Sequence, residues 1–494
     1  MFGGCPPPGV YQDFYRILLR NPTNFPTILQ GYSSTGGVGF HAIRITNSLS
    51  AATSINGFQL QGTVTGIQVS GTSAMNLGLT ISNCVFNHQG GSFGMDFFLS
   101  SSVAHNITPS IISCTFTKVD VGVRFNVAGG TGNANAVVQP KFVKCKFYDL
   151  TNSVQMELGN GSLEPTFEYC HFYDNDGYVI TNPNFGVYTN NGTTCFCSNT
   201  YFYHPRFINS VFYNNNGIAN LLIGVVNQYG DISVDFINST LWNNPSTSAG
   251  PAFNINSYNC YDQGYTGTEK ALKIQNSILW DNDNVSGQWI SLDRGMAADL
   301  DHSLVDAVNC SDGVNLIQTA VLNCNFGVKY NQNPQFINAS GSTPNLRLLA
   351  SSPARNSGYN PFVPTNIDTD LIGYVRIVEN IVEMGAYEYC PTRNGCYPKA
   401  TIDPGPIRLR KTNLPVLNNN IQLTSYPNPV QNVLQVKGDD NARVQSLQLV
   451  TIEGKVVKSN TNSRQINVQG VPKGMYLLKV QTDQGVKTLR VIKK

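Results

Sequence analysis

The stretch Phe207-Ile208-Asn209-Ser210-Val211-Phe212-Tyr213 constrains the fold of this chain more than any other, because its pattern returns along most of the sequence. It reads apolar, any, turn residue, small, any, large apolar, any. Nine copies begin at Ile55, Ile81, Ile111, Phe142, Phe167, Phe207, Phe236, Ile274 and Leu300, at intervals of 25 to 40 residues. Self-similarity on this scale is the signature of a solenoid with loops of varying length.

Within each copy, positions one, four and six are apolar or small. On a flat strand the first and fourth residues would face opposite sides. A left-handed α conformation at the third position resets the alternation, and Gly and Asn adopt it most readily. That position holds Gly57, Asn83, Ser113, Lys144, Tyr169, Asn209, Asn238, Asn276 and His302, so a bend is expected there although only five of the nine are Asn or Gly. The fourth position reads Phe58, then Cys84, Cys114, Cys145 and Cys170, then Ser210, Ser239, Ser277 and Ser303. The sixth reads Leu60, Phe86, Phe116, Phe147, Phe172, Phe212, Leu241, Leu279 and Val305. Like residues stack on like, as in a parallel β-helix whose coils rise about 4.8 Å each. The expected class is all-β: a right-handed parallel β-helix of about ten coils over residues 1–390, a linker over 391–420 and a small antiparallel β-sandwich over 421–494.

Composition agrees. Only 13% of residues are charged, against about 25% in an ordinary domain. A net charge of +2 gives no footprint for nucleic acid, and no apolar run is long enough for a transmembrane segment. Of the 12 cysteines, the four in the fourth column are expected reduced and packed as small hydrophobes. Cys195 with Cys197, and Cys390 with Cys396, are the better disulfide candidates. The first residues, Met1 to Gly9, have neither the charged nor the apolar region of a signal peptide. Strand-like Thr27–Gly31 comes soon after them, so the expectation is that a signal peptide and a first coil were lost upstream.

The residue after the sixth position reads Tyr148, Tyr173, Tyr213, Trp242 and Trp280 over five consecutive copies. If the sixth position faces in, these face out. Such a stripe is either a glycan-binding groove, in which sugar faces stack on rings, or a seam that long loops bury. Two polar groups are weaker candidates. Lys144, Lys146, His171 and Asp174 could serve a polysaccharide lyase, which needs a base and neutralisation of a uronate. A set including Asp281, Asp283, Asp293, Asp299, Asp301 and His302 could hold Ca²⁺ through its oxygens. Solvated loop residues and bends account for both groups equally well.

Two segments resemble known families. Asn333-Pro-Gln-Phe336, Ser351–Gly358, Asp368–Arg376 and Met384–Tyr389 resemble the closing coil and final signature of bacterial β-helix proteins of the choice-of-anchor Q kind. Ser425-Tyr426-Pro427-Asn428-Pro429-Val430, Glu453-Gly454-Lys-Val-Val457, Gly474-Met-Tyr476–Val480 and the basic end Arg490–Lys494, with Lys493 and Lys494, are similar in order to the type A sorting domain of type IX secretion. That resemblance implies the type IX secretion machinery as partner and an extracellular or surface-anchored location in a Gram-negative bacterium. The leading functional reading is a glycan-binding or adhesive surface protein. The alternatives are a polysaccharide lyase and a structural spacer.

Overall fold

The computed structural model of the chain describes residues 27–30, 41–61, 64–87, 92–100, 103–128, 136–158, 161–182, 201–224, 231–246, 250–258, 269–390, 396, 423–438, 444–451, 456–461, 463–482 and 485–494. The chain forms two compact units, 1–399 and 400–494. Of the residues named from the sequence, Cys195, Cys197, Gly454, the first 26 residues and nearly all of 391–420 lie outside the described set.

The first unit is a parallel β-helix with four walls. Wall 1, of ten strands, holds the residues before the bend, among them Arg206–Ile208, Val234–Ile237, Glu269–Gln275 and Met296–Asp301. Wall 2, of eleven strands, comes after the bend and includes Lys146–Tyr148, His171–Tyr173, Val211–Tyr213, Thr240–Trp242 and Ile278–Trp280. Wall 3 has ten strands and wall 4 has six. Every pairing within these walls is parallel and joins corresponding residues of successive coils, as in Phe172↔Phe212 and Phe167↔Phe207.

The bend is present in all nine copies. Gly57, Asn83, Ser113, Lys144, Tyr169, Asn209, Asn238, Asn276 and His302 all have positive φ, from 40° to 75°. For Lys144, Tyr169 and His302 this conformation costs roughly 1–2 kcal/mol, and the surrounding stack imposes it. Hydrogen bonding just past the bend explains the fourth column. The thiols of Cys84, Cys114, Cys145 and Cys170 point at the carbonyl two residues back, at 3.3–3.6 Å. The hydroxyls of Ser210, Ser239, Ser277 and Ser303 donate to the same carbonyl at 2.8–3.1 Å. A small side chain with a donor is therefore what this corner needs. All four cysteines are free and buried.

The sixth column makes a continuous aromatic stack. Phe86, Phe116, Phe147, Phe172 and Phe212 lie at centroid spacings of 4.5–4.8 Å with nearly parallel rings. Across the core these rings meet the glycines of wall 3. A Cβ on Gly94 would lie 2.5 Å from the Gly122 carbonyl oxygen and 2.8 Å from Phe116, so no side chain fits there.

A second bend has no clear signature in the sequence pattern. Lys118, Asp149, Asp174, Asn214, Asn243 and Asp281 also have positive φ, from 52° to 57°. Just beyond it, Asn175, Asn215, Asn244 and Asn282 form a buried ladder. Each Nδ2 donates to the next Oδ1, at 2.6, 2.7 and 2.9 Å. In the preceding coils Leu150 and Val119 fill this column, at 1% and 4% exposure.

One coil lies beyond the last recognised copy: Val314–Leu316, Val321–Cys324 and Lys329–Tyr330. A disulfide between Cys310 and Cys324 closes it, a pair whose separation of 14 residues carries no distinctive signal in the sequence. The expected Cys390–Cys396 disulfide is present.

Residues 333–390 do not form a closing coil. They add no strand to any wall, and Pro334, Pro344, Pro353, Pro361 and Pro364 interrupt any ladder they might have joined. They make instead a strap that runs back along the helix. Asn276 exchanges hydrogen bonds with the backbone of Tyr359, at 2.7 and 3.0 Å. Asn209 donates to the Thr369 carbonyl, the Ala386 amide to Thr240 Oγ1, and Asn366 to Glu168. Inside the strap, fully buried Arg376 donates to the carbonyls of Glu383 and Gly385 and lies 3.5 Å from Glu388. Asp370 accepts from the amides of Ile372, Tyr374 and Glu388. The Asp368–Arg376 and Met384–Tyr389 signatures thus encode the strap's polar core.

The second unit packs an antiparallel three-stranded sheet against an antiparallel four-stranded one, around Leu434, Leu447, Leu449, Leu478, Val480 and Val491.

Candidate functional site: an aromatic flank and a charged cleft

The aromatic stripe lies on the outer face of wall 2, and the strap divides it. Tyr148, Tyr173 and Tyr213 are half-buried and stack on one another at 4.9 and 5.0 Å with near-parallel rings. Their flat faces are therefore largely occupied by each other, and what they offer outward is ring edges and hydroxyls. Burial, aided by neighbouring Tyr148, pushes the Tyr173 hydroxyl up to about 12. Trp242 is 8% exposed and clusters with Leu346, Phe336, Leu371 and Tyr387 of the strap. Its Nε1 donates to Asp281. Trp280 is half-buried in the same cluster. An exposed groove through all five rings is thus corrected to an open segment of Tyr148 and Tyr173 and a seam in which Tyr213 joins Trp242 and Trp280. The cause is the strap.

The Lys144, Lys146, His171 and Asp174 group is only partly gathered. Lys146 and His171 are register neighbours on wall 2. Lys144 sits at the first bend, its Nζ 5.9 Å from the Tyr169 ring centroid. Asp174 sits at the second bend and accepts from Asn214. Burial first, and then the Lys146 charge, pushes His171 down to about 4, so its imidazole is neutral at pH 7.

Asp281 and Asp283 lie near Asp306 and Asp312 at the other end of wall 2. Burial and the Asp283 charge push Asp306 up to about 6, and Asp281 already accepts from Trp242. Among the described residues no group of three or more His, Cys, Asp or Glu is arranged to hold a metal ion. Asp293 is distant in role, its carboxylate accepting from the adjacent Arg294 amide.

Asp299 and Asp301 belong to a different place. With Arg206, Asp235, Ile237, Lys273, Gln275 and Asn325 they line a cleft of about 500 Å³ on the outer face of wall 1, which Pro361, Phe362 and Pro364 of the strap bound on one side. The register places Arg206, Asp235, Lys273 and Asp299 in one column, one residue per coil. His302, at the bend above, bonds Asp301 through Nδ1 at 2.5 Å and stacks on Tyr359. Only two of these lining residues stand out in the sequence. Phe362 lies 63 residues beyond Asp299, and no local pattern connects them.

In the second unit, Tyr426 OH donates to Gln435. Asn428, between Pro427 and Pro429, donates to the Arg490 carbonyl and accepts from the Ile492 amide. Gly474 pairs with Lys493, Lys494 donates its amide to the Val430 carbonyl, and Tyr476 OH donates to the Pro472 carbonyl. The separated motif segments thus meet around the last strand.

Helix and tail define a β-helix protein built for export. Residues 424–494 match the family described as the secretion system C-terminal sorting domain. The match supports export by type IX secretion to the cell surface or exterior. No curated protein matches the chain. The resemblance of residues 1–390 to the choice-of-anchor Q kind rests on its sequence segments alone.

Proposed function

We propose that this exported β-helix binds glycan, and that it does so in the cleft between wall 1 and the strap. The observation that carries this is the cleft's lining: one aromatic ring, Phe362, beside a column of carboxylate, ammonium and amide groups that repeats with each coil. Sugar hydroxyls pair with such groups, and the apolar face of a pyranose stacks on a ring. A volume of about 500 Å³ is within the usual range for small-molecule sites. The open tyrosines, Tyr148 and Tyr173, offer a second and weaker contact through their hydroxyls.

The test is binding of the full chain to a panel of bacterial and plant oligosaccharides. Phe362→Ala should weaken the ligand about tenfold, in keeping with a lost stacking contact, while Tyr173→Ala should change it little. Equal binding by Phe362→Ala would remove the cleft from consideration. Export is tested separately: a chain lacking residues 421–494 should stay in the periplasm.

A further inference from the structure

The cleft contains three carboxylates and two basic groups, and by formal charge alone it would suit a cation. Hydrogen bonding reverses that preference. Asp235 accepts from Ser233 Oγ and lies 4.0 Å from Arg206 Nε. Asp299 accepts from Asn323 Nδ2 at 2.8 Å. Asp301 is bonded to His302. Each carboxylate is therefore already engaged by a neighbour on the same or an adjoining strand.

The donors are not. Lys273 stands between Asp235 and Asp299 in the register, yet its ammonium makes no ion pair or hydrogen bond among the described residues. Gln275, two residues along the same strand and on the same face, has a side-chain amide that is likewise unengaged among the described residues. Among the described residues the Arg206 guanidinium has only its long contact with Asp235. A half-buried lysine whose ammonium has no partner among the described residues retains the capacity for a charge-assisted hydrogen bond, the strongest kind a sugar acid can receive.

Resting on the glycan reading, we propose that the cleft selects acidic glycans, with Lys273 holding the anionic group. A carboxylate or sulfate ester on the sugar meets the Lys273 ammonium. The Gln275 amide bonds an adjacent hydroxyl, Phe362 covers the ring face, and Arg206, two coils away, meets a second anionic group farther along the chain. Successive coils offer a new polar group at each step, so an oligomer lying along the helix axis is favoured over a monosaccharide.

The experiment titrates the full chain with a galacturonate oligomer, with the fully methyl-esterified form of that oligomer, and with a sulfated galactan oligomer. Wild type, Lys273→Met and Phe362→Ala are compared, with thermal unfolding as the check on folding. Lys273→Gln serves as a second, polar replacement. The expected result is binding of at least one acidic oligomer, about tenfold or more tighter than the ester. Lys273→Met and Lys273→Gln should both lose that preference, and added salt should weaken it. Which acidic oligomer binds separates carboxylate from sulfate. If acid and ester bind equally and both Lys273 variants leave them unchanged while Phe362→Ala weakens both, the acidic class is wrong and the glycan cleft stands. If Phe362→Ala and the Lys273 variants alter nothing, the cleft reading falls, and the acidic class with it.

Discussion

The coils from Cys84 to Cys170 and those from Ser210 to Ser303 solve the same corners by different means. In the Cys114 and Cys145 coils the column at the second bend is apolar, with Val119 and Leu150, and the glycines of wall 3 in the early coils make room for phenylalanine rings. From the Cys170 coil onward that column is the asparagine ladder, beginning at Asn175, and the glycine column carries Val179 and Ile218 instead. The serine hydroxyls differ from the thiols as well. Each serine both caps a carbonyl and accepts the backbone N–H of the coil below, at 3.1–3.3 Å. The earlier half depends on packing and the later half on buried hydrogen bonds. The strap lies over the coils from Cys170 onward, where it places the aromatic seam and one side of the cleft.

The sharpest way to break this comparison is to exchange residues between the halves. Gly94→Val installs the later coils' residue in the earlier ones, against a carbonyl 2.5 Å away. It should cost about 3 kcal/mol or more, the upper range for overpacking, read from denaturant unfolding of the helix unit. Asn215→Ala interrupts the ladder between Asn175 and Asn244 and leaves buried amide groups unpaired. The expected loss is about 2–3 kcal/mol, and a loss below about 0.5 kcal/mol would mean the ladder contributes little.

The strap should respond to pH in the opposite sense to the coil that carries His171, whose buried imidazole, held down at about 4, makes that coil more stable as pH rises from 4 towards 6.5. Burial pushes Glu383 up to about 7 and Glu388 up to about 8, from an ordinary 4.5, while Arg376 and Arg355 oppose the rise and Glu379 and Asp370 add to it. The folded strap therefore binds protons more tightly than the unfolded chain. The resulting stabilisation is complete below pH 4.5 and is lost as pH rises through 7 and 8. Unfolding followed by tryptophan fluorescence should show stability falling from pH 6.5 to 8, above the range in which His171 acts, and Glu388→Gln should flatten that slope. A slope unchanged by Glu388→Gln would assign the dependence elsewhere.

The smallest effect is the most discriminating. Asn175 Oδ1 is buried without a partner because Leu150 occupies the position below it. Leu150→Asn would supply the missing donor and lengthen the ladder by one step. It should cost under about 1 kcal/mol, whereas a buried polar replacement without a partner costs about 1–3 kcal/mol more. A full-sized loss would show that the two halves are not interchangeable at this corner.

The sequence made some of this legible for a definite reason. The first bend carries Gly57, Asn83, Asn209, Asn238 and Asn276, residues that favour positive φ, and it stands at a fixed distance from a large apolar side chain. The second bend comes directly after the aromatic stripe and carries Asp at least as often as Asn, so Asp174 and Asp281 read as catalytic and metal candidates although both sit at turns. The strap was illegible because its contacts are remote. Asn276 meets Tyr359 across 83 positions and Tyr169 meets Thr369 across 200. No periodicity links those partners, and the burial of Trp242 and the aromatic side of the cleft both depend on them.

Hydrogen–deuterium exchange of the full chain, with and without a bound oligosaccharide, tests the central claim most directly. If the cleft is the binding site, the ligand should slow exchange in Val234–Ile237, Glu269–Gln275 and Met296–Asp301 and around residues 359–364. Protection confined to Lys146–Tyr148 and His171–Tyr173 would contradict it and return the site to the tyrosine flank.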